Sequence, residues 1–179
     1  MTIWADDSVL LLIDFQEKLM PAMHDGTATV ACASMLARAA RLLKVPVVVT
    51  EHQADKIGPT VPALDGLADL VFPKIHFSAI EEPGFGVVLP PERSTFLLAG
   101  WEAHVCVLQT ALGLRVAGHR VVLLADGSSS RRPVDHAIAL QRAQGHGIEI
   151  ATAEMVLFEW LHHCENPKFR DVLALIKQR

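Results

Sequence analysis

The sequence predicts an α/β fold: a three-layer, doubly wound parallel sheet of six strands. Short apolar, often β-branched runs alternate along the 179-residue chain with longer segments that repeat apolar residues at helical spacing. Strands buried on both faces of a sheet are apolar throughout, and strands that alternate with helices pair in parallel through right-handed crossovers. Neither a G-x-G-x-x-G motif after the first strand nor a P-loop occurs, which disfavours a nucleotide-binding enzyme of similar, Rossmann-like topology.

Six segments have the composition of strands in such a sheet. Residues 8–13, SVLLLI, form an uninterrupted apolar run that is typical of a central parallel strand. Pro46 has no amide hydrogen to give to a neighbouring strand, so it is placed at the start of the second strand. The predicted strands are residues 8–13, 45–50, 69–72, 95–99, 120–125 and 148–151.

Helices are predicted between and after these strands. Residues 29–43 alternate apolar and basic side chains in the pattern of an amphipathic helix. Pro133 suits the first turn of a helix, and Thr152 can cap another. Residues 51–67, which contain Gly58-Pro59, are predicted as a long surface loop of the kind that often lines a site. These helices are expected over residues 29–43, 133–144, 154–162 and 167–177.

The composition indicates one soluble, cytoplasmic domain that spans residues 1–179. The formal net charge of -4 offers no basic surface for nucleic acid, and no apolar run approaches the length that spans a bilayer. The first residues lack the basic and apolar regions of a signal peptide. Three scattered cysteines suit neither a disulfide framework nor a zinc site, and free thiols suit a reducing compartment. We therefore expect a small-molecule substrate, no metal and no cofactor.

Cys106 lies where the fourth predicted strand gives way to a helix. The strand ends at Gly100, and unpaired N–H groups and the positive end of the helix dipole then converge on the first turn, which favours a thiolate and any oxyanion beside it. The alternative is that Cys106 is a small buried hydrophobe, the usual fate of a free cysteine. Apolar residues at helical spacing define the helix: Val105, Leu108, Leu112 and Val116.

Asp14, Lys74 and Cys106 each follow a different predicted strand. The carboxyl ends of parallel strands meet at the crevice where open α/β sheets bind ligands, so the three side chains are expected to lie together. Each also has a simpler interpretation, because Asp14 could cap a turn or helix and Lys74 could be a solvated surface charge.

The three side chains are chemically complementary. A thiol of ordinary pKa, roughly 8.5, is mostly protonated at neutral pH and requires a base or a nearby positive charge. Asp14 could accept the thiol proton and return it to a leaving amine, while Lys74 holds Asp14 ionised and stabilises the thiolate. Backbone N–H groups before the helix could form an oxyanion hole.

Several sequence segments resemble motifs of the isochorismatase-like cysteine hydrolase superfamily, and within it those of the isochorismatase domain-containing hydrolases. The resemblance extends from Ser8 to about Lys177 and keeps the family's order of motifs. The segments are LLLIDFQEKLMPAM, FPKIHFS and LAGWEAHVCVLQTALGL, followed by DGSSSRRP and TAEMVLFEWL.

This resemblance implies a catalytic triad of Asp14, Lys74 and Cys106 and a covalent acyl- or thioimidate-type intermediate on Cys106. It also implies a cis peptide bond between Trp101 and Glu102. That bond would turn the Glu102 N–H toward the Cys106 N–H as a two-donor oxyanion hole. Branches of the superfamily form oligomers, so a homo-oligomer is expected.

Departures from the superfamily's patterns narrow the expected reaction. Nicotinamidases bind a metal through an Asp-x-His pair after the second strand, where this chain has Glu51-His52-Gln53. True isochorismatases cleave a vinyl ether and lack the nucleophilic cysteine, so Cys106 argues against that reaction. The remaining prediction is a cysteine hydrolase acting on a small amide or related C–N bond.

Further residues are predicted to line the pocket or to pack elsewhere. His104, near the helix start, is as consistent with a surface or capping role as with a substrate contact. Cys32 and Cys164 are expected to be packing thiols. The predicted pocket lining is Phe15, Gln16, His52, His76 and Trp101.

A second hypothesis is a non-catalytic, oligomeric binding or assembly module with a vestigial triad. It predicts that Cys106 alkylates no faster than Cys32 or Cys164. A redox thiol is disfavoured because no resolving cysteine stands in C-x-x-C spacing.

Overall fold

The structure, a computed structural model, describes residues 1–178 and contains one parallel sheet of six strands. The strand order is β3-β2-β1-β4-β5-β6, so the order reverses between the two central strands, β1 and β4. The strands are β1 (Ser8–Ile13), β2 (Val47–His52), β3 (Leu70–Lys74), β4 (Thr95–Gly100), β5 (Arg120–Ser128) and β6 (Glu149–Ala151).

Helices cover both faces of the sheet. A π-helical turn, Ala103–Val107, precedes α4, and short 3-10 turns such as Ala79–Glu81 lie in the connections. The α-helices are α1 (Gly26–Leu42), α2 (Ala54–Ile57), α3 (Phe85–Val88), α4 (Leu108–Val116), α5 (Pro133–Gly145), α6 (Ala153–Leu161) and α7 (Phe169–Lys177). No helix among residues 1–178 is both long and apolar enough to cross a bilayer.

Strand β1 shows why its sequence is apolar throughout. All six of its residues are fully buried, because each face of the strand packs under a different helical layer. Leu10 and Leu12 point into the core with α1 and α6, whereas Leu11 and Ile13 point into the core with α4 and α5. The predicted three-layer, doubly wound α/β fold is confirmed.

Strands β2, β3 and β5 extend further toward their carboxyl ends than predicted. Parallel pairing continues to His52 opposite Lys74, and to Gly100 opposite Ser128, although these residues are not apolar. Composition therefore identified the apolar part of these strands but missed the polar end. Residues 51 and 52, expected in a loop, belong to β2.

Two apolar or weakly polar residues named in the sequence analysis are exposed. The apolar spacing that predicted α4 included Val116, which is the last residue of that helix and is 89% exposed. Cys164 lies beyond the end of α6 and is exposed, so only Cys32 is the buried packing thiol that was expected.

Gly100 allows the two central strands to end close together. Its φ is +151°, and a Cβ atom there would lie 2.2 Å from the carbonyl oxygen of Ile13. That same carbonyl accepts a hydrogen bond from the N–H of Trp101 at 2.9 Å. The crevice at the reversal of strand order therefore depends on a residue without a side chain.

We expect Gly100→Ala to lower the free energy of unfolding by at least about 1–3 kcal/mol, because the new methyl group meets backbone and the φ is unfavourable. Gly145→Ala is the matched control. It lies at the end of α5, where an added Cβ would have no atom within 4 Å, so its stability should be unchanged or raised by up to about 1 kcal/mol. Equal urea midpoints for the two variants would contradict this account.

Candidate active site

Asp14 is a buried carboxylate at the carboxyl end of β1. It adopts a left-handed conformation with φ 53°, which aspartate tolerates better than most residues. Its N–H donates to the carbonyl of Thr50 at 3.2 Å, and its Oδ1 accepts the hydroxyl of Thr50 at 2.7 Å. Both contacts fix the carboxylate against β2. The polar Thr50 within the apolar run VVVT was the one sequence signal for this contact, and sequence reasoning missed it.

Lys74, the last residue of β3, places a buried ammonium group against this carboxylate. Its Nζ lies 2.7 Å from Asp14 Oδ2 and donates to the carbonyls of His76 at 3.1 Å and Phe77 at 3.2 Å. These three acceptors match the three donors of an ammonium group. Lys74 is therefore a fixed positive charge that balances Asp14, since an unpaired charge would be very unfavourable at such burial.

Cys106 lies in the π-helical turn with only 7% of its surface exposed. Burial of the thiol, followed by the negative charge of Asp14, raises the pKa of Cys106 to about 12, and the positive charge of Lys74 only partly offsets this. Asp14 and Lys74 are thus the two charged groups that act on the thiol. At neutral pH Cys106 therefore carries its proton. The predicted thiolate-favouring effect of the helix start is outweighed by burial and the nearby carboxylate.

The turn before Cys106 contains backbone donors that are not all in use. The peptide bond between Trp101 and Glu102 is cis. The Ala103 N–H donates to the carbonyl of Ser129 at 2.7 Å, whereas within residues 1–178 the Glu102 N–H reaches no backbone carbonyl. The Glu102 side chain is held apart from this turn by Arg131, whose backbone N–H and Nε donate to it at 3.1 and 3.0 Å.

Phe15 and Trp101 do not line the site. Both are fully buried, with ring centroids 4.8 Å apart, and the Trp101 indole donates to the hydroxyl of Thr29 at 3.0 Å. They pack in the core beneath α1, on the face of the sheet opposite Cys106. The prediction that they line the pocket is therefore corrected: they are core residues.

Gln16 uses its whole side-chain amide to hold the chain beyond β2. Its Nε2 donates to the carbonyls of His52 at 3.0 Å and Gly58 at 2.6 Å, and its Oε1 accepts the N–H of His52 at 2.8 Å. Both amide hydrogens are thus in use, and Gln16 is fully buried. The expected pocket-lining role is replaced by a role in positioning His52.

His52 faces the same side of the sheet as Lys74, because the two residues are opposite each other in the parallel register. Burial, and then the positive charge of Lys74, lower the pKa of His52, so the ring is neutral. Within the described chain, the ring atom Nδ1 is buried with no hydrogen-bond partner. The half-exposed ring of Phe77 lies 5.4 Å away, centroid to centroid.

Two other histidines near the site are held by specific partners. His76 is exposed, and its Nδ1 lies 2.8 Å from Oε2 of Glu82. His104 is partly buried, with Nδ1 2.9 Å from the hydroxyl of Ser130. Across residues 1–178, no group of three or more His, Cys, Asp or Glu side chains is arranged to hold a metal ion.

Comparison with known proteins gives the family. The Isochorismatase domain model matches residues 8–155. Isochorismatase domain-containing protein 1 of Danio rerio is 38% identical over 172 residues, which cover 95% of this chain but only 61% of that longer protein. Isochorismatase domain-containing protein 2 of Rattus norvegicus is 32% identical over 176 residues, with 98% and 84% covered.

Solved structures show the same fold. MAR1 ribonuclease from Caenorhabditis elegans superposes with a TM-score of 0.93 at 32% identity and covers 99% of this chain and 93% of that one. YcaC from Escherichia coli, described as an octameric hydrolase of unknown specificity, gives 0.84 at 20% identity, with 99% and 97% covered. The resemblance found in the sequence is confirmed, and the chain belongs to the isochorismatase family.

Proposed function

We propose that the protein is a cysteine hydrolase that cleaves a small amide or related C–N bond through a covalent intermediate on Cys106. The observation that carries the proposal is the buried ion pair of Asp14 and Lys74, 2.7 Å apart, whose two charges both act on the buried Cys106 thiol. A base, a fixed cation and a nucleophile at three strand ends suit covalent catalysis better than a purely structural role.

Attack on the substrate carbonyl begins with a protonated thiol. As the S–C bond forms, the thiol proton moves to Asp14, and the carbonyl π electrons move to oxygen. The N–H groups of Glu102 and Cys106 are the proposed oxyanion hole. Asp14 then gives the proton to the leaving nitrogen as the C–N bond breaks, which releases an amine or ammonia.

The second half of the reaction uses the same groups. Asp14, again ionised, accepts a proton from water as the water attacks the thioester, and the proton returns to the Cys106 sulfur as the acid leaves. Lys74 keeps its proton throughout, because its three acceptors hold it as an ammonium ion. Its part is to favour the ionised forms of Asp14 and Cys106.

His52 is the proposed substrate contact. Its unpaired Nδ1 lies on the same side of the sheet as Lys74, and in the neutral ring with its proton on Nε2 this atom is a hydrogen-bond acceptor. An N–H of an amide substrate would satisfy it. His76 is a weaker candidate, because Glu82 already engages its ring.

Two structurally similar proteins suggest further properties to test: ribonuclease activity and oligomeric assembly. Because MAR1 is named a ribonuclease, RNA belongs in the substrate panel, although a net charge of -4 does not favour a polyanion. The octameric YcaC supports homo-oligomeric assembly for this chain, including the alternative of an assembly module with a vestigial triad.

We expect Asp14→Asn to reduce amide turnover by about 10²–10⁴-fold, because proton transfer loses its acceptor. Cys106→Ala should abolish turnover. Release of ammonia or amine from a panel of small amides measures this, and circular dichroism confirms folding. Normal turnover by a folded Cys106→Ala variant would contradict the proposed mechanism.

We expect Lys74→Met to lower the free energy of unfolding by about 3–5 kcal/mol, because it leaves the Asp14 carboxylate buried without a counter-charge. The double variant Asp14→Asn with Lys74→Met should lose less stability than the sum of the two single changes. Chemical denaturation of all four proteins gives the coupling. Strict additivity would show that the pair does not interact as described.

Asp14→Asn should also move the pH midpoint of Cys106 alkylation downward. The Asp14 charge raises the pKa of the thiol, so its removal leaves Lys74 to favour the thiolate at lower pH. Iodoacetamide labelling against pH, resolved by mass spectrometry, measures the midpoint, and the exposed Cys164 is the internal control. A vestigial, uncoupled thiol would keep the same midpoint in both proteins.

A further inference from the structure

We propose that the carboxylate of Glu82 is a positioning residue: it fixes the loop of residues 75–77, whose carbonyls hold Lys74, and so sets the reactivity of Cys106. The inference rests on the proposed function, since it concerns the same triad. The contacts by which Glu82 holds this loop are to Ile75 and His76, not to Asp14, Lys74 or Cys106.

One oxygen of Glu82 fastens the loop at three points. Oε2 accepts the backbone N–H of Ile75 at 2.9 Å, the backbone N–H of His76 at 3.1 Å, and lies 2.8 Å from His76 Nδ1. These contacts, led by the hydrogen bond with the His76 ring, lower the pKa of Glu82 to about 2. The carboxylate is therefore ionised, and the contacts are intact, across the range in which the triad would work.

The opposite side of the same loop faces Lys74. His76 donates its N–H to Glu82 and offers its carbonyl to Lys74 Nζ, and Phe77 offers the next carbonyl. Two of the three acceptors of the buried ammonium thus come from this loop. Its apolar side chains do not anchor it, because Ile75 is 66% and Phe77 52% exposed. Glu82 supplies the attachment that apolar burial does not.

Glu82 is in turn connected to the helix that follows Cys106. The 3-10 turn Ala79–Glu81 precedes it, and the Ala79 N–H donates to the hydroxyl of Thr110 on α4 at 2.9 Å. Ile80 packs so closely on α4 that a Cβ at Gly113 would lie 2.3 Å from its Cγ2. A continuous set of contacts therefore runs from the helix behind the nucleophile, through Glu82, to the cation.

The effect on Cys106 has a defined sign. The charged groups that act on the thiol are Asp14, which raises its pKa, and Lys74, which lowers it. If the loop loosens, Lys74 loses two acceptors and its fixed position beside the thiol. The pKa of Cys106 then rises, and alkylation requires a higher pH.

The test measures the pH midpoint of Cys106 alkylation by iodoacetamide in the full chain. We expect Glu82→Ala to raise the midpoint by about half a unit to one unit, which makes labelling about three- to tenfold slower at a pH below both midpoints. Glu82→Gln keeps an acceptor oxygen and should restore most of the wild-type profile. On an amide substrate, Glu82→Ala should lower kcat and leave KM nearly unchanged.

Asp7→Ala is the matched control. The Asp7 carboxylate also accepts hydrogen bonds from the Ser94 N–H and the Thr95 hydroxyl, but at the amino ends of the strands, away from Cys106. The Asp7→Ala variant should have lower thermal stability but the same pH midpoint of Cys106 alkylation as the wild type. An unshifted midpoint in a folded Glu82→Ala variant overturns the inference, and so does an equal shift in Asp7→Ala. Failure of the wild-type protein to hydrolyse any amide overturns the proposed function instead, because the alkylation midpoint needs no substrate.

Discussion

The buried ion pair between Asp14 and Lys74 is the interaction on which the rest of the site depends. Removing two charges from water has an unfavourable free energy, so each charge has further hydrogen-bond partners. The carboxylate accepts the hydroxyl of Thr50, and the ammonium group donates to two loop carbonyls. Each partner comes from a different strand end or the loop after it. The parallel sheet is what brings these ends to one edge, and the reversal of strand order between β1 and β4 opens the space beside them.

The protonation state of Cys106 follows from the same pair. A lone cation would make the thiol acidic, but the carboxylate and the burial act in the opposite direction and dominate. The resting thiol is then protonated, under the opposing effects of a carboxylate and an ammonium group. Under the proposed mechanism, the reactive thiolate forms only as a bound carbonyl compound is attacked, so the resting thiol reacts slowly with other electrophiles.

Much of this could be predicted from the sequence, and the remainder could not, for physical reasons. Strands buried on both faces leave unbroken apolar runs, so their positions and the residues at their ends were readable. The direction of side chains just after a strand was not. Asp14 turns the chain through a left-handed conformation, which carries Phe15 into the opposite core and Gln16 back onto β2. The role of Glu82 depends on a loop folding back over seven residues, and composition does not encode that.

The manner in which Gln16 fastens residues 52 and 58 has an evolutionary consequence. It secures the base of the connection after β2. The part that follows, residues 59–67, is held separately, by the burial of Val61 and Leu64 in the core and by the contacts of Glu51 with Thr60. Gln16 contacts only backbone atoms of His52 and Gly58, so this attachment does not depend on the side chain at position 52. The residue at position 52 can therefore change in evolution while the connection after β2 stays fastened to the end of β1.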